Sequence, residues 1–333
     1  MTFKNSLKAF ACLAVAGVIS GAADAQTVLR ASHQFPGGKG DIRDEMVQII
    51  AREVAAADVG LEIQVFPGAS LYKPHDQWNA VTRGILDITS FPLDYASGRH
   101  PEFSATLMPG LVENQERAQR LNDSEFMTDI KQIIEDAGAL VISDAWLSGA
   151  FASKQGCITS PETMEGQVIR AAGPAFEEML VHAGASISSM PSSEIYTGMQ
   201  TGVLDAANTS SASFVSYRLF EQVTCLTAPG ENSLWFMYEP VLISKSVFEG
   251  LTEEQQQAIT AAGEKAEAYF NEEIVKGDQA LVDAFTEAGV EVVEMSKEDY
   301  DAWIEVAQES SYKNFAANVP NGQELIDKAL AVE

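Results

Sequence analysis

Histidine and cysteine, the residues that most often bind transition metals, are scarce in this chain. Of its 333 residues, four are histidine and three are cysteine. None of the histidines (His33, His75, His100 and His182) has a histidine or cysteine partner at the spacing of a metal site. The sequence therefore predicts no metal centre.

The motifs that mark common cofactor and catalytic sites are also missing. The chain has no P-loop, no G-x-G-x-x-G after a strand, and no H-E-x-x-H, C-x-x-C or G-x-S-x-G. Residues 310–313 fit S-x-x-K, but they lie in a helical tail without the companion motifs of that enzyme class. We therefore expect no cofactor, no catalytic residues and no enzymatic turnover.

Basic residues are few, with 21 Lys and Arg against 48 Asp and Glu and a formal net charge of −27 at pH 7. Because phosphate backbones require a basic surface, this balance argues against nucleic acid as a partner, and equally against anionic lipid. A small organic anion remains compatible, because one buried arginine sets the local charge of a pocket. The acidity otherwise favours solubility.

Long apolar runs are missing beyond the first 25 residues. Lys4 and Lys8 precede the small-residue apolar run Ala9–Ile19, which is shorter than the roughly 20 residues that span a bilayer. The segment that follows ends in Ala23–Ala25, an A-x-A cleavage pattern. This layout predicts a secretory signal peptide over residues 1–25 and a periplasmic location.

Two cysteines, Cys157 and Cys225, lie beyond the predicted signal peptide. Each lies in a short segment typical of a strand, and an exported protein meets oxidising conditions. We predict a disulfide between them. Two buried free thiols are the alternative.

Apolar periodicity indicates strands that alternate with helices. In the first half, strands are predicted at residues 28–33, 61–66, 86–91 and 140–146. The same alternation returns with strands at residues 167–170, 186–190 and 204–207. The tail is predicted to be mostly helical, with a long helix over 251–288 and an amphipathic helix over 299–315. Two α/β units are therefore expected.

Two segments resemble a known family. The first is Ser160–Arg170, which contains Gly166-Gln167-Val168-Ile169-Arg170, and the second is Met190–Asp205. They resemble the DctP-like solute-binding proteins of tripartite ATP-independent periplasmic (TRAP) transporters. The runs Val65–Leu71, Gly84–Ile88 and Pro101–Phe103 agree as well, so the likeness covers nearly the whole chain after the predicted signal peptide.

The resemblance implies an α/β fold of two lobes, with a strand hinge, long C-terminal helices and a ligand cleft between the lobes. It places residues 26–148 and about 238–280 in the first lobe, and residues 149–237 and about 281–333 in the second. It also implies an extracytoplasmic protein, expected to be a monomer. Such a protein delivers its ligand to TRAP permease subunits that an ion gradient drives.

Arg170 is the leading ligand-binding candidate. It ends a predicted strand, and ligands of open α/β sheets bind at the carboxyl ends of strands. A buried arginine is costly when unpaired, and its planar group suits a carboxylate. In the family, the arginine at this position grips a ligand carboxylate, which the resemblance implies for Arg170. A structural ion pair with one of the many acidic residues is the alternative.

Two departures from the family pattern bear on the ligand. Phe151 stands where many relatives have a second arginine, which argues against binders of sialic acid or C4-dicarboxylates. It predicts one carboxylate opposite an apolar or ring-stacking surface. After Asp205 the chain has neutral residues, of which Asn208 and Ser210 are predicted to bind ligand hydroxyl or carboxylate groups. Helix capping is the alternative for these two.

Other candidates are predicted to lie at the edge of the cleft. Gln34 and Phe35 follow the first strand, and Asp94 follows the third, where it would accept from a hydroxyl or an ammonium group. Trp78 lies on a helix that faces the cleft in relatives. Trp235 would stack on a ligand ring or fill the core.

These observations predict an extracytoplasmic solute-binding protein that captures a small organic acid. A sugar acid such as a uronate or an aldonate is the first expectation, and an aromatic or branched hydroxy acid is the second. One alternative is a ligand-sensing input protein for a receptor kinase. Another is a periplasmic hydrolase, which the missing nucleophile motif disfavours.

Overall fold

The computed structural model describes residues 2, 26–231 and 233–332, so the predicted signal peptide lies outside the described residues except for Thr2. The described residues contain twelve strands: β1 (Thr27–Ser32), β2 (Leu61–Phe66), β3 (Ile88–Ser90), β4 (Ala139–Ser143), β5 (Trp146–Ser153), β6 (Val168–Arg170), β7 (Ser186–Ile187), β8 (Ala206–Ser210), β9 (Cys225–Ala228), β10 (Phe236–Tyr238), β11 (Val241–Ser244) and β12 (Glu291–Glu294).

The same part of the chain contains thirteen α-helices: α1 (Ile42–Ala56), α2 (Gln77–Thr82), α3 (Gln115–Leu121), α4 (Glu125–Asp136), α5 (Pro174–His182), α6 (Ile195–Gln200), α7 (Ser211–Ser216), α8 (Lys245–Glu249), α9 (Glu253–Ile274), α10 (Gly277–Glu287), α11 (Lys297–Ala307), α12 (Lys313–Asn318) and α13 (Gly322–Leu330). A π-helical turn, Gln308–Tyr312, joins α11 to α12. None of the described helices is long and apolar enough to cross a membrane.

The first sheet has the strand order β2-β1-β3-β11-β4. β1 pairs in parallel with β2 and β3, as expected when helices connect successive strands, and β11 runs antiparallel between β3 and β4. α1 buries Met46, Ile50 and Val54 completely, as expected for the apolar face of an amphipathic helix. α9 packs along α1, so this sheet and its helices form the first lobe.

The second sheet has the order β12-β9-β5-β8-β6-β7, and β10 pairs with β5. β6 is parallel to β7 and β8, whereas β5 is antiparallel to β8 and β9. α5 contributes Phe176, Met179 and Leu180 to the core beneath Ile169. This sheet and its helices form the second lobe.

The chain passes between the sheets from β4 to β5, from β10 to β11 and from α9 to α10. Asp144 lies in the first of these crossings. Its carboxylate accepts hydrogen bonds from the Lys131 ammonium (2.7 Å) and from the Tyr238 hydroxyl at the end of β10. A hydrogen bond therefore joins the β4–β5 crossing to the end of β10, where the β10–β11 crossing begins.

The predicted single helix over 251–288 is wrong, because α9 ends at Ile274 and α10 begins at Gly277. α9 packs on α1 in the first lobe, whereas α10 packs on α7 in the second. Asp278 accepts hydrogen bonds from the hydroxyls of Ser148 (2.6 Å) and Ser211. These bonds fix the start of α10 to the second lobe, and the helix axis breaks just before it.

The predicted lobe boundaries stay predictions. The changes of sheet at β5 and β11 lie close to the boundaries expected near residues 148 and 238. However, α13 packs against α4 of the first lobe. This packing favours assigning the end of the chain to the first lobe rather than to the second.

Cys157 and Cys225 form a disulfide, with their Cα atoms 5.1 Å apart. Cys225 begins β9 and Cys157 follows β5, so the pairing of these two strands brings the cysteines together. Glu291 lies beside them, and the three side chains have potential ligand atoms within 4.8 Å of one another. Because the two sulfur atoms are bonded to each other, this group is not a metal site.

Candidate ligand-binding site

Arg170 lies fully inside the protein, at the carboxyl end of β6. Its Nε donates to the carbonyl of Met190 (2.9 Å), Nη1 donates to the carbonyl of Asn208 (2.9 Å), and Nη2 donates to the hydroxyl of Tyr95 (3.0 Å). No carboxylate of the described residues forms an ion pair with it. A guanidinium carries five N–H groups, so two donors remain available.

Tyr95, which the sequence analysis did not select, connects the first lobe to Arg170. It lies in the short 3₁₀ helix Leu93–Ala96 beyond the end of β3. Besides Arg170, its hydroxyl oxygen accepts from the backbone N–H of Ser192 (2.9 Å) and from Nε2 of Gln34 (3.4 Å). The oxygen has two lone pairs, which the shorter contacts to Arg170 and Ser192 occupy, so Tyr95 makes its main hydrogen bonds to the second lobe. Its position after a strand end is the sequence signal that could have identified it.

His75 lies against the ring of Tyr95, with 4.8 Å between the ring centroids. Burial lowers the pKa of His75 below its ordinary value of 6.5, and the nearby positive charge of Arg170 lowers it further. His75 is therefore neutral at pH 7 and leaves Arg170 as the charge at this point.

Asp94 packs its carboxyl group against Gly173, the residue that precedes α5. A Cβ atom at Gly173 would overlap that carboxyl group. Burial and the negative charge of Glu177 raise the pKa of Asp94 well above its ordinary value, although Arg170 opposes the shift. The hydroxyls of Ser97 and Ser104 lie near enough to oppose the shift as well, but neither carboxyl oxygen makes a hydrogen bond of good geometry among the described residues. A carboxyl group in this state can both donate and accept.

Gln34 and Asn208 belong to the same cluster. The backbone carbonyl of Gln34 accepts from the Tyr217 hydroxyl (3.0 Å), and Nδ2 of Asn208 donates to the carbonyl of Ala150 (3.2 Å). Their side-chain oxygens are buried and have no partner among the described residues. Buried polar atoms in folded proteins are nearly always paired, so these acceptors indicate a place for a polar ligand.

Trp235 lies just before β10 and packs directly over Gly149 of β5. A Cβ atom at Gly149 would collide with the indole ring, so the residue must be glycine for the ring to lie there. The indole N–H is buried and has no acceptor among the described residues. Trp235 belongs to the same apolar core as Phe151, so its indole N–H is the group that it can offer a ligand.

Trp78 and Phe151 lie in the apolar cores instead. Trp78 packs against Phe91 and Phe103, with ring centroids 5.8 and 5.4 Å away. Phe151 stacks on Trp303 at 5.7 Å. These contacts account for the burial of both side chains, so neither belongs to the candidate ligand site.

Phe35 and Ser210 meet in a second cluster, around Arg43, which the sequence analysis also missed. The Arg43 guanidinium lies 3.7 Å from the centre of the Phe35 ring and donates to Oγ of Ser210 (3.2 Å). Oγ of Ser210 also accepts from the backbone N–H of Ser213 and so caps α7, which is the alternative that the sequence left open.

The site therefore assembles at the carboxyl ends of strands from both lobes. Four of the nine predicted ligand-binding residues lie around Arg170 or directly beside Tyr95, and they are Arg170, Gln34, Asp94 and Asn208. The arrangement contains one cation, several acceptors without donors and no assembled nucleophile. It is suited to holding an anion reversibly.

Comparison with known proteins places the chain in a family. Residues 50–318 match the DctP model, described as bacterial extracellular solute-binding protein, family 7. A solute-binding protein of Albidiferax ferrireducens is 35% identical over 322 residues, which is 95% of each chain. The 2,3-diketo-L-gulonate-binding periplasmic protein of Escherichia coli is 25% identical over 271 residues, or 80% of each chain.

Solved structures agree with the two-lobed α/β fold that the sequence predicts. A TRAP periplasmic solute-binding protein from Rhodoferax ferrireducens, with bound malonate, has a TM-score of 0.87 and 35% identity, covering 90% of this chain and 96% of that one. One from a Sulfitobacter species with bound β-D-galacturonate has a TM-score of 0.84 at 21% identity, covering 91% and 99%, which shows the fold alone. The chain belongs to the DctP family of bacterial extracellular solute-binding proteins, which serve TRAP transporters.

Proposed function

We propose that this protein captures a small organic acid outside the cytoplasm, in the cleft between its lobes, and delivers it to the membrane subunits of a TRAP permease. The observation that carries the proposal is Arg170, a fully buried guanidinium without an ion-pair partner among the described residues. A ligand carboxylate on its two remaining N–H groups would neutralise it in a charge-assisted pair. The malonate bound by the Rhodoferax relative supports an acid as ligand.

We infer further that the ligand is a sugar acid, such as a uronate or an aldonate. The buried side-chain oxygens of Gln34 and Asn208 need donors. Hydroxyl groups on a sugar acid supply them, whereas a plain dicarboxylate such as malonate offers no donor at neutral pH. The gulonate derivative named for the Escherichia coli relative agrees with this class. An aromatic or branched hydroxy acid is the second candidate, for which the indole N–H of Trp235 offers one donor.

Capture requires only that both lobes hold the ligand at once. Arg170 and Asn208 belong to the second lobe, and Gln34 and Tyr95 belong to the first. A ligand that bridges them stabilises the closed arrangement by its extra contacts, and opening at the hinge releases it unchanged. Export by the signal peptide and transport driven by an ion gradient are parts of the same proposal.

Thermal unfolding with a panel of acids tests the proposal. The panel contains D-galacturonate, D-gluconate, malonate and mandelate, and the proteins are the wild type, Arg170→Ala and Arg120→Ala. Arg120 is an exposed arginine on α3 and serves as the control. A ligand at about 1,000 times its dissociation constant stabilises the fold by about 4 kcal/mol, which raises Tm by several degrees.

A rise with the sugar acids that disappears only in Arg170→Ala supports both ligand class and anchor. A rise that persists in Arg170→Ala would make the arginine structural. A rise with malonate alone would overturn the sugar-acid assignment. The absence of any rise would contradict acid binding itself.

A further inference from the structure

Arg43 occupies a position that ligand capture alone does not explain. It lies in the first turn of α1, where it is fully buried. Nε and Nη2 donate to the two carboxylate oxygens of Asp41 at 2.9 and 2.8 Å, and the guanidinium lies over the ring of Phe35. Asp41 and Phe35 belong to the first lobe, so these contacts persist as long as that lobe is folded.

The remaining terminal nitrogen of Arg43 reaches out of the first lobe. Nη1 lies 3.1 Å from a carboxylate oxygen of Glu239, which stands in the crossing from β10 to β11. The same nitrogen lies 3.2 Å from Oγ of Ser210 and 3.1 Å from Oγ of Ser213, at the start of α7 in the second lobe. One guanidinium therefore touches the first lobe, the hinge and the second lobe.

The first lobe alone keeps Arg43 charged and in place. Burial by itself would raise the pKa of Asp41, but the charge of Arg43 and the hydrogen bonds to it outweigh burial and lower that pKa. Both hydrogen bonds between Arg43 and Asp41 lie within the first lobe, so the ion pair does not depend on contact between the lobes. Because the guanidinium is already oriented, it loses little conformational freedom when the serine hydroxyls arrive.

We propose that Arg43 is an interlobe latch, a positioning residue that stabilises the closed arrangement of the lobes through Ser210 and Ser213 without touching the ligand. The latch depends on the proposed function in one respect only, namely that closure of the lobes retains the ligand. Apparent affinity scales with the closed fraction of the protein, so the latch strengthens binding from outside the ligand site. Hydrogen bonds to a charged group are strong enough for an effect of about tenfold.

The decisive variant removes the hydroxyls and leaves the arginine. Arg43→Met is unsuitable, because it would leave the buried carboxyl groups of Asp41 and Glu239 without their partner. Ser210→Ala combined with Ser213→Ala keeps the ion pair intact. Ser211→Ala is the matched control, because this hydroxyl lies on the same helical turn but binds Asp278 within its own lobe.

The readout is the distance between the lobes. Spin labels are placed, by unnatural amino acids that spare the disulfide, at Ile85 of the first lobe and Val203 of the second, both of which are exposed. Electron–electron double resonance then gives the fractions of open and closed molecules, without ligand and with D-galacturonate or malonate at saturation. The dissociation rate of the bound acid is measured in parallel.

We expect the ratio of closed to open molecules to fall about tenfold in the double serine variant, with a matching rise in dissociation rate, and to stay unchanged in Ser211→Ala. Identical distance distributions in all three proteins would overturn the latch. If no acid binds the wild type, the proposed function fails, and the ligand-free distances still decide the latch. If acids bind and the distance distributions of the three proteins are identical, the latch fails and the proposed function stands.

Discussion

Arg170 and Tyr95 meet across the cleft, one from each lobe, and share one hydrogen bond. The tyrosine oxygen lies 3.0 Å from the arginine and 2.9 Å from the backbone nitrogen of Ser192, so the first lobe contributes an acceptor to two donors of the second. Opening the lobes breaks both bonds at once. The tyrosine hydroxyl therefore couples the orientation of the arginine to closure.

Replacing Tyr95 with phenylalanine is expected to weaken binding of the best acid in the panel about tenfold, because a hydrogen bond to a charged group is lost. The free energy of unfolding of the ligand-free protein should change little. Titration calorimetry measures the affinity, and Tyr196→Phe, which removes an exposed hydroxyl paired with Glu221, is the control. Equal affinities for the two variants would contradict the role of Tyr95.

Replacing Asp94 with asparagine is expected to stabilise the ligand-free protein at neutral pH. The pKa of Asp94 is raised in the folded state, chiefly by burial and then by Glu177. A group with a raised pKa favours folding below its unfolded value and disfavours it as the pH rises past its folded value. The stabilisation by asparagine should therefore decrease as the pH falls towards 3.8, the ordinary pKa of an aspartate.

Urea unfolding at neutral and acidic pH measures this difference. Asp301→Asn, at an exposed position on α11, is the control and should show no such trend. A stability difference between wild type and Asp94→Asn that does not change with pH would be evidence against a buried carboxyl group with a raised pKa.

At the scale of elements, the alternation of strands and helices selected three residues of the candidate site. Arg170, Gln34 and Asp94 could be selected because each lies at or just beyond the carboxyl end of a strand, where ligands of open α/β sheets bind. Arg43 could not be selected, since an arginine in a first helical turn resembles any exposed one until its partners from the other lobe are known. Phe151 was selected from the resemblance, and its burial in the core became visible only with Trp303 in place.

The break between α9 and α10 also could not be predicted from the local sequence. Residues 251–288 are rich in Ala, Glu and Gln, which favour one uninterrupted helix. The hydrogen bonds that redirect the chain join Asp278 to Ser148 and Ser211, which lie 130 and 67 positions away in the sequence. Local propensity carries no information about partners so distant.

Substituting Gly173 with alanine at the start of α5 is expected to oppose closure. The backbone there is extended, so alanine is tolerated conformationally, but its Cβ would overlap the Asp94 carboxyl group. We expect ligand affinity to fall at least tenfold while the free energy of unfolding changes little, because opening the lobes relieves the overlap. Calorimetry and small-angle scattering measure affinity and lobe separation.

Gly98→Ala is the control for this substitution, because a Cβ atom at Gly98 would meet no atom within 4 Å. An unchanged affinity and an unchanged radius of gyration in Gly173→Ala would show that the contact with Asp94 does not limit closure.

At the scale of the whole molecule, the disulfide is a constraint on the unfolded chain. Cys157 and Cys225 are 68 positions apart, and a loop of that length corresponds to about 4 kcal/mol of stabilisation in the chain-entropy model. Replacing both cysteines with serine should lower the free energy of unfolding by roughly that amount in urea titrations. Wild-type protein under reducing conditions should match the variant. A loss below about 1 kcal/mol would argue against this role of the disulfide.

The position of β11 in the middle of the first sheet decides when that sheet can be completed. It lies between β3 and β4, yet the chain passes through β5 to β10 before reaching Val241–Ser244. During synthesis from the amino terminus, β3 and β4 therefore have unpaired edges until β11 has been made. Most of the second lobe has been synthesised by then. Such edges invite pairing with other chains. The window before β11 arrives is the period in which a nascent molecule most needs a chaperone.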